Sequence, residues 1–188
     1  NFWWFVTRYP IGDFHPPGYF AILWVWGHLF GFSEVSVRLP SVIFGVLTVL
    51  LTDLIGKKLY SKNVGLIAAL FLSLAPLHIY YSQEARMYSF AAFAATLSSY
   101  FFLKIIRSER FAVVGYALSV CLVLSSDYLA YFILPVHILY IFIFNKKIVK
   151  RYIFSLVLGI IPFLIWLPIF FEQLKNGIEK SSLINGWS

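Results

Sequence analysis

"GKKLYSKNVGLIAALFLSLAPLHIYYSQEARMYSF", residues 56–90, joins three unlike pieces in one short run. Gly56 to Asn63 is basic; Val64 to Ser82 carries no formal charge; Gln83 to Tyr88 holds a glutamate and an arginine two positions apart among tyrosines. An apolar stretch of that length matches the roughly 17–25 residues that an α-helix needs to cross a bilayer. The same alternation of polar turn and apolar run recurs along the chain, at Pro40 to Gly56, Met87 to Leu103, Phe111 to Leu124, Leu129 to Phe144 and Tyr152 to Phe171. Two-residue alternation is weak and aliphatic content high. Because an unpaired backbone group is costly in lipid, helices are expected rather than barrel strands. The expected fold class is all-α: one polytopic transmembrane helix bundle over residues 1–188, with about six spans.

Composition agrees. The 188 residues are 61% hydrophobic and 20% aromatic but only 12% charged, more apolar surface than a soluble domain of this size hides. The net charge of +7 comes from lysines and arginines confined to short turns, not gathered on an aromatic-bearing face, so no nucleic-acid partner is expected. Cys121 is the single cysteine, lies in an apolar run and has no intrachain partner for a disulfide; it reads as packing.

The turns sort by charge. "GKKLYSKN" (56–63), "KIIRSER" (104–110) and "NKKIVKR" (145–151) are separated by pairs of crossings and fall on one face, which the positive-inside rule makes cytoplasmic. "SQEARMY" (82–88) and "SSDYLA" (125–130) then face outward. Residues 16–32, "PPGYFAILWVWGHLFGF", are barely long enough to span, are rich in Trp and Phe, and carry His28 in mid-segment. They are expected to form an aromatic helix lying in the outer interface.

Candidate functional residues gather on the outer face. A polar loop is ordinarily a solvated lip, but Tyr80, Tyr81, Gln83 and Tyr88 surround Glu84 and Arg86 with hydrogen-bonding groups at membrane depth, as a half-buried pocket requires. The planar fork of an arginine suits phosphate oxygens. Asp13 and His15, in "IGDFHPPGY", form a second polar cluster, with Pro16 and Pro17 stiffening the exit from His15. Asp127 and Tyr128 have two readings: a share in that pocket, or an acidic cap on the helix that follows. Glu34 and Arg38, and likewise Asp53 and Lys57, stand four apart and read as structural pairs on a helix face. His78 and His137 lack metal-ligand spacing and there is no Cys/His cluster, so no dedicated metal cage is expected, while a divalent ion assisting a phosphate stays open. Walker, GxGxxG and GxSxG motifs are absent.

"DFHPPGYF", then "LFGFSEVSVRLPSVIFGVLTVLL", then the opening stretch itself, in that order between Asp13 and Leu103, resemble the membrane glycosyltransferases of the GT-C superfamily, in the branch similar to protein O-mannosyltransferases. The resemblance implies an inverting transfer of sugar from a polyprenyl-phosphate carrier to a lipid, glycan or protein acceptor on the outer face of a bacterial or archaeal cell membrane. His15 and the Pro pair would then rim the active site. Glu84 and Asp13 are its candidate catalytic carboxylates; Arg86, Gln83, Tyr81, Tyr88, Asp127 and Tyr128 its candidate substrate contacts. The family's acidic Asp–Glu motif follows a first transmembrane helix and would lie upstream of Asn1. The chain also opens without a charged signal-peptide start, so a partial chain is expected, inactive in isolation. The rivals from other classes are a transporter, to which Gly159 and Pro162 in the last crossing lend weak support, and a structural membrane subunit.

Overall fold

The computed structural model describes Phe2 and residues 15–175; Asp13 lies outside the described residues. Among them every regular element is helical. In chain order these are α1 (Gly18–Phe30), α2 (Glu34–Leu59), α3 (Lys62–Leu74), α4 (Pro76–Ser82), α5 (Tyr88–Ile106) and α6 (Ala112–Ser126). A 3₁₀ turn, Tyr128–Phe132, leads into α7 (Ile133–Phe144), and α8 (Val149–Ile160) continues as a second turn, Ile161–Ile165. Helix returns over residues 167–175. The all-α helix bundle is as expected.

Its inside and outside are exchanged relative to a soluble protein. Phe71 is 73% exposed and Ile165 82% exposed, as suits a surface solvated by lipid tails. The contacts between helices use small side chains: Ser41, Gly45, Thr48 and Gly56 on α2, Ala94 and Ser98 on α5, and Ser155 and Gly159 on α8 are all buried. With no hydrophobic drive between helices in lipid, close backbone approach supplies the attraction instead. The crossing of α2 and α3 shows how close: a Cβ at Gly65 would stand 2.4 Å from the Asp53 carbonyl oxygen. One polar cluster is sealed in the middle, where the Tyr116 hydroxyl meets His137 Nδ1 at 3.0 Å and the Tyr152 hydroxyl at 3.1 Å, while Phe102 stacks on the His137 ring at 4.1 Å. It fastens α5, α6, α7 and α8 to one another.

Among the described residues three helices are long and apolar enough to cross a membrane: Glu34–Leu59, Tyr88–Ile106 and Lys146–Ile165. The protein is an integral membrane protein. The expected crossing Val64 to Ser82 is not one straight helix. It breaks between Leu74 and Pro76 with a bend of 65°. Pro76 has no N–H to continue the ladder and its ring drives the preceding residue out of helical geometry; Ala75 accordingly sits at φ −68°, ψ 121°. Only as a bent pair do α3 and α4 reach spanning length.

Helix α1 does not traverse the bundle. Its 13 residues rise about 20 Å, short of a hydrocarbon core of about 30 Å. Both of its ends lie at the same end of the bundle. Gly18 abuts Ser125, one residue from the end of α6, so tightly that a Cβ would stand 2.4 Å from the Ser125 carbonyl oxygen, and the Phe30 carbonyl accepts from Ser36 in the first turn of α2.

Candidate functional site

The two ends of the bundle carry different chemistry. At the basic end, Glu109 pairs with Lys58 and stands 3.8 Å from Lys104, its carbonyl accepts from Arg151 Nη2 at 2.9 Å, and Arg107 donates to the Lys58 carbonyl. The three basic turns are thereby joined at one residue, through the Glu109 carboxylate to Lys58 and Lys104 and through its carbonyl to Arg151. The carboxylate's pKa is held below the usual glutamate range, first by the hydrogen bond from Lys58 and, against the opposing effect of desolvation, by the Lys58, Lys104 and Arg107 charges. Lys57 pairs with Asp53 as the spacing predicts.

The acidic-aromatic end is built on a pinned loop. Residues 83–87 connect α4 to α5, and Met87 is buried with Tyr19 of α1 and Phe90 of α5. The Tyr19 hydroxyl lies 2.7 Å from Ser41 Oγ, which donates to the Arg86 carbonyl at 3.3 Å; Ser89 Oγ donates to the Tyr81 carbonyl at 2.8 Å. With its backbone held on both sides, the loop presents Gln83, Glu84 and Arg86 outward from a fixed frame.

The sequence-predicted residues divide between two openings. The first is a cleft of about 540 Å³ lined by Glu34, Val37, Arg38, Tyr80, Gln83, Glu84, Ala85 and Arg86. Glu84 lies close enough to the Tyr80 hydroxyl for its charge to act on it. Arg38 Nη2 holds Glu34 Oε1 at 2.6 Å, the predicted pair, yet the pair forms a wall of the cleft and is not a remote helix brace. Nothing in the local spacing of "SEVSVR" signals that: only packing brings α2 against the loop forty-odd residues later.

The second opening, about 340 Å³, lies between Tyr81 and Tyr88 on one side and Asp127, Leu129 and Ala130 on the other, floored by Ala91, Ala92 and Ala95 of α5. The Tyr81 and Tyr88 rings meet at 4.7 Å. Asp127 is 7% exposed: Oδ1 accepts from the Leu129 N–H at 2.7 Å as a cap, and Oδ2 stands 3.6 Å from His15 Nε2, at the second opening and not in the cleft of Glu84 and Arg86. Gln173, missed in the sequence, closes this corner. It is 2% exposed, donates from Nε2 to the His15 carbonyl at 3.2 Å and accepts from the Tyr128 hydroxyl. A glutamine two residues beyond Phe171, where the apolar run ends, was the one available signal.

His15, Asp127, Tyr128 and Gln173 thus form one connected set, Glu84 and Arg86 with Glu34 and Arg38 another, and Tyr81 and Tyr88 stand on the second opening's side of the loop. Among the described residues no three His, Cys, Asp or Glu side chains converge as metal ligands do.

Residues 14–169 match the family described as dolichyl-phosphate-mannose-protein mannosyltransferase. The chain belongs to this family, and with it to the GT-C superfamily whose motifs it carries. It is similar to two proteins of Bacillus subtilis (strain 168). "Putative mannosyltransferase YkcB" is 28% identical over 149 residues, 76% of this chain and 20% of that protein; "Putative mannosyltransferase YycA" is 26% identical over 153 residues, 78% of this chain and 22% of that protein. The chain spans about a fifth of the length of these curated relatives. No solved structure matches it.

Proposed function

We propose that the protein is a glycosyltransferase which moves a sugar from a polyprenyl-phosphate carrier to a lipid, glycan or protein acceptor at the outer face of the membrane. The observation that carries this reading is the cleft in which Arg86 and Glu84 project side by side from a pinned loop at one end of a membrane bundle. A lipid-linked donor keeps its tail in the bilayer and its sugar phosphate at the surface, so its reacting bond lies at the depth of helix ends. Family membership supports the same reaction class, and the names of the relatives put mannose first among donors. The basic turns gathered at the opposite end support an outward orientation by the positive-inside rule.

In this reading the acceptor hydroxyl attacks the anomeric carbon from the face opposite the phosphate. The new glycosidic bond forms as the carbon–oxygen bond to phosphate breaks, the acceptor proton passes to a carboxylate, and polyprenyl phosphate departs carrying the electron pair. Arg86 stabilises the charge that builds on the leaving phosphate. Glu84 takes the acceptor proton or orients the acceptor. His15, held against Asp127, shapes the neighbouring rim.

The test is sugar transfer by the full-length protein in proteoliposomes, given a panel of polyprenyl-phosphate sugars beginning with mannose. Arg86→Ala and Glu84→Gln each lower turnover on the order of 100-fold while the folded protein survives. Absence of turnover with every donor, or turnover indifferent to both substitutions, overturns the reading. A transporter is the second reading, favoured by the 65° break in the α3–α4 pair, since transporters place their sites at interrupted helices. It predicts donor uptake without a new glycosidic bond.

A further inference from the structure

The basic end carries more positive charge than its clamp uses. Among the described residues its carboxylates are Asp53 and Glu109, and both are taken, the first by Lys57 and the second by Lys58 and Lys104. Arg110, Lys147 and Lys150 are exposed and have no ion pair among the described residues. The bond from Arg151 to the Glu109 carbonyl draws their two turns together: Arg110 follows Glu109, and Lys147 and Lys150 stand within about one helical turn of Arg151. Three cations thus share a seam that offers them no acid of the protein's own.

The backbone at the seam is strained. Among the described residues Ser108 at φ 54° and Phe111 at φ 59° are the non-glycine residues in left-handed geometry, and they flank Glu109 and Arg110. A bulky aromatic is seldom found there, because its Cβ crowds the neighbouring carbonyl. Burial does not account for it: Phe111 is 65% exposed, and the Arg110 guanidinium lies over its ring, 4.5 Å from the centre. The other turn is similar, with Phe144, 72% exposed, three residues before Lys147. The spans Glu34–Leu59 and Tyr88–Ile106 end here and Lys146–Ile165 begins here, so the seam lies where hydrocarbon gives way to headgroups. Exposed aromatics beside unpaired cations at that depth are complementary to a lipid with apolar chains and an anionic head.

We propose that the seam between residues 104–110 and 145–151 seats an acidic phospholipid, its phosphate held by Arg110, Lys147 and Lys150 and its acyl chains lying along Phe111 and Phe144. The lipid supplies the negative charge that the sequence omits and bridges two turns whose free cations repel each other. The seat is independent of the sugar transfer proposed above.

The test measures binding of phosphatidylglycerol and phosphatidylcholine to the full-length protein in detergent by native mass spectrometry. Wild type holds phosphatidylglycerol about a hundredfold more tightly than phosphatidylcholine. Arg110→Gln weakens phosphatidylglycerol about fivefold, and the triple variant Arg110→Gln, Lys147→Gln, Lys150→Gln erases the preference, with phosphatidylcholine unchanged in both. Lys62→Gln, which removes an exposed cation of the third turn, leaves both lipids as in wild type. Phe111→Asn, in which the new side chain tolerates left-handed backbone, weakens both lipids about threefold and melts no lower than wild type in lipid-free detergent. A preference that survives in the triple variant overturns the proposal. Equal losses from Lys62→Gln and Arg110→Gln overturn it too, since they make the preference a diffuse field of the whole end. Displacement of the lipid by glycerol phosphate marks a free-anion site, and displacement by polyglutamate marks a surface for an acidic protein; either result overturns the lipid seat. A Phe111→Asn protein that melts far below wild type shows that the ring serves the fold and removes it from the seat.

Discussion

The basic end of the bundle is closed on itself, whereas the acidic-aromatic end is held open. Both ends hold carboxylates and guanidinium or ammonium groups within reach of each other. At the basic end the Glu109 carboxylate meets Lys58 of one turn and Lys104 of its own, so that its charge is consumed in joining them, while its carbonyl takes Arg151 of a third. At the other end main-chain carbonyls do the fixing, that of Arg86 in the loop accepting from Ser41 and that of Tyr81, in the last turn of α4, from Ser89, and the charged side chains are left to line a cleft. Where side chains do the holding, the end is a clamp. Where the main chain does it, the side chains are released for a ligand. The contrast predicts that changes at the basic end register as stability and changes at the opposite end as chemistry.

The largest effect is expected where α2 and α3 cross towards the basic end. Gly65→Leu drives a side chain into the Asp53 carbonyl, only 2.4 Å from the Cβ position, and neither backbone can yield without parting the helices. A loss of about 3 kcal/mol or more is expected, seen as a sharply lowered melting temperature in detergent or loss of folded protein. A melting temperature near that of wild type would mean that the crossing is looser than the clamp requires.

Next in size is the clamp's own charge. Because the Glu109 pKa is lowered on folding, its contribution is complete above the ordinary glutamate value of about 4.3 and is lost as pH falls through the lowered folded value. Glu109→Gln should therefore lower the melting temperature by about 2–4 °C at neutral pH, with the difference from wild type closing as the pH falls below the ordinary glutamate value and through the lowered folded one. A difference that holds constant across that range would show that the carboxylate's charge is not what joins the turns.

These expectations also mark what the sequence could carry. Helical class, the grouping of the basic turns and the pairs Glu34–Arg38 and Asp53–Lys57 were legible, because hydropathy, charge sign and four-residue spacing are local quantities. The break at Pro76 was written in the sequence too, but average hydropathy over residues 64–82 passes across a missing N–H without registering it. What local pattern cannot contain is adjacency. That Glu34 and Arg38 would wall the same cleft as Glu84 and Arg86, or that Gln173 would hold the His15 carbonyl across 158 positions, depends on how α2, α5 and the helix at 167–175 pack. The site was legible as a list of polar residues at one end and illegible as two openings.

Asp127 lies between the two behaviours, capping with one oxygen and facing His15 with the other. Asp127→Ala should cost about 1 kcal/mol through the lost cap, whereas Asp127→Asn keeps an acceptor for the Leu129 N–H and should melt near wild type. The asparagine variant then isolates the charge: reduced sugar transfer in it would make the contact with His15 part of the chemistry, and unchanged transfer would leave Asp127 a cap alone.

The smallest expected effect is the most decisive for the contrast between the ends. Arg86→Ala and Glu84→Gln should each move stability by no more than about 0.5 kcal/mol, because neither side chain anchors the loop that bears it. The Arg86 carbonyl still accepts from Ser41 when the guanidinium is gone, and Met87 stays buried against Tyr19 and Phe90. Thermal melts of both variants beside Glu109→Gln make the comparison direct. If Arg86→Ala melts as low as Glu109→Gln, the cleft at the acidic-aromatic end is a second clamp and its arginine is structural. If it melts with wild type, the protein maintains a guanidinium at the membrane surface from which its fold gains nothing, and only a ligand accounts for that placement.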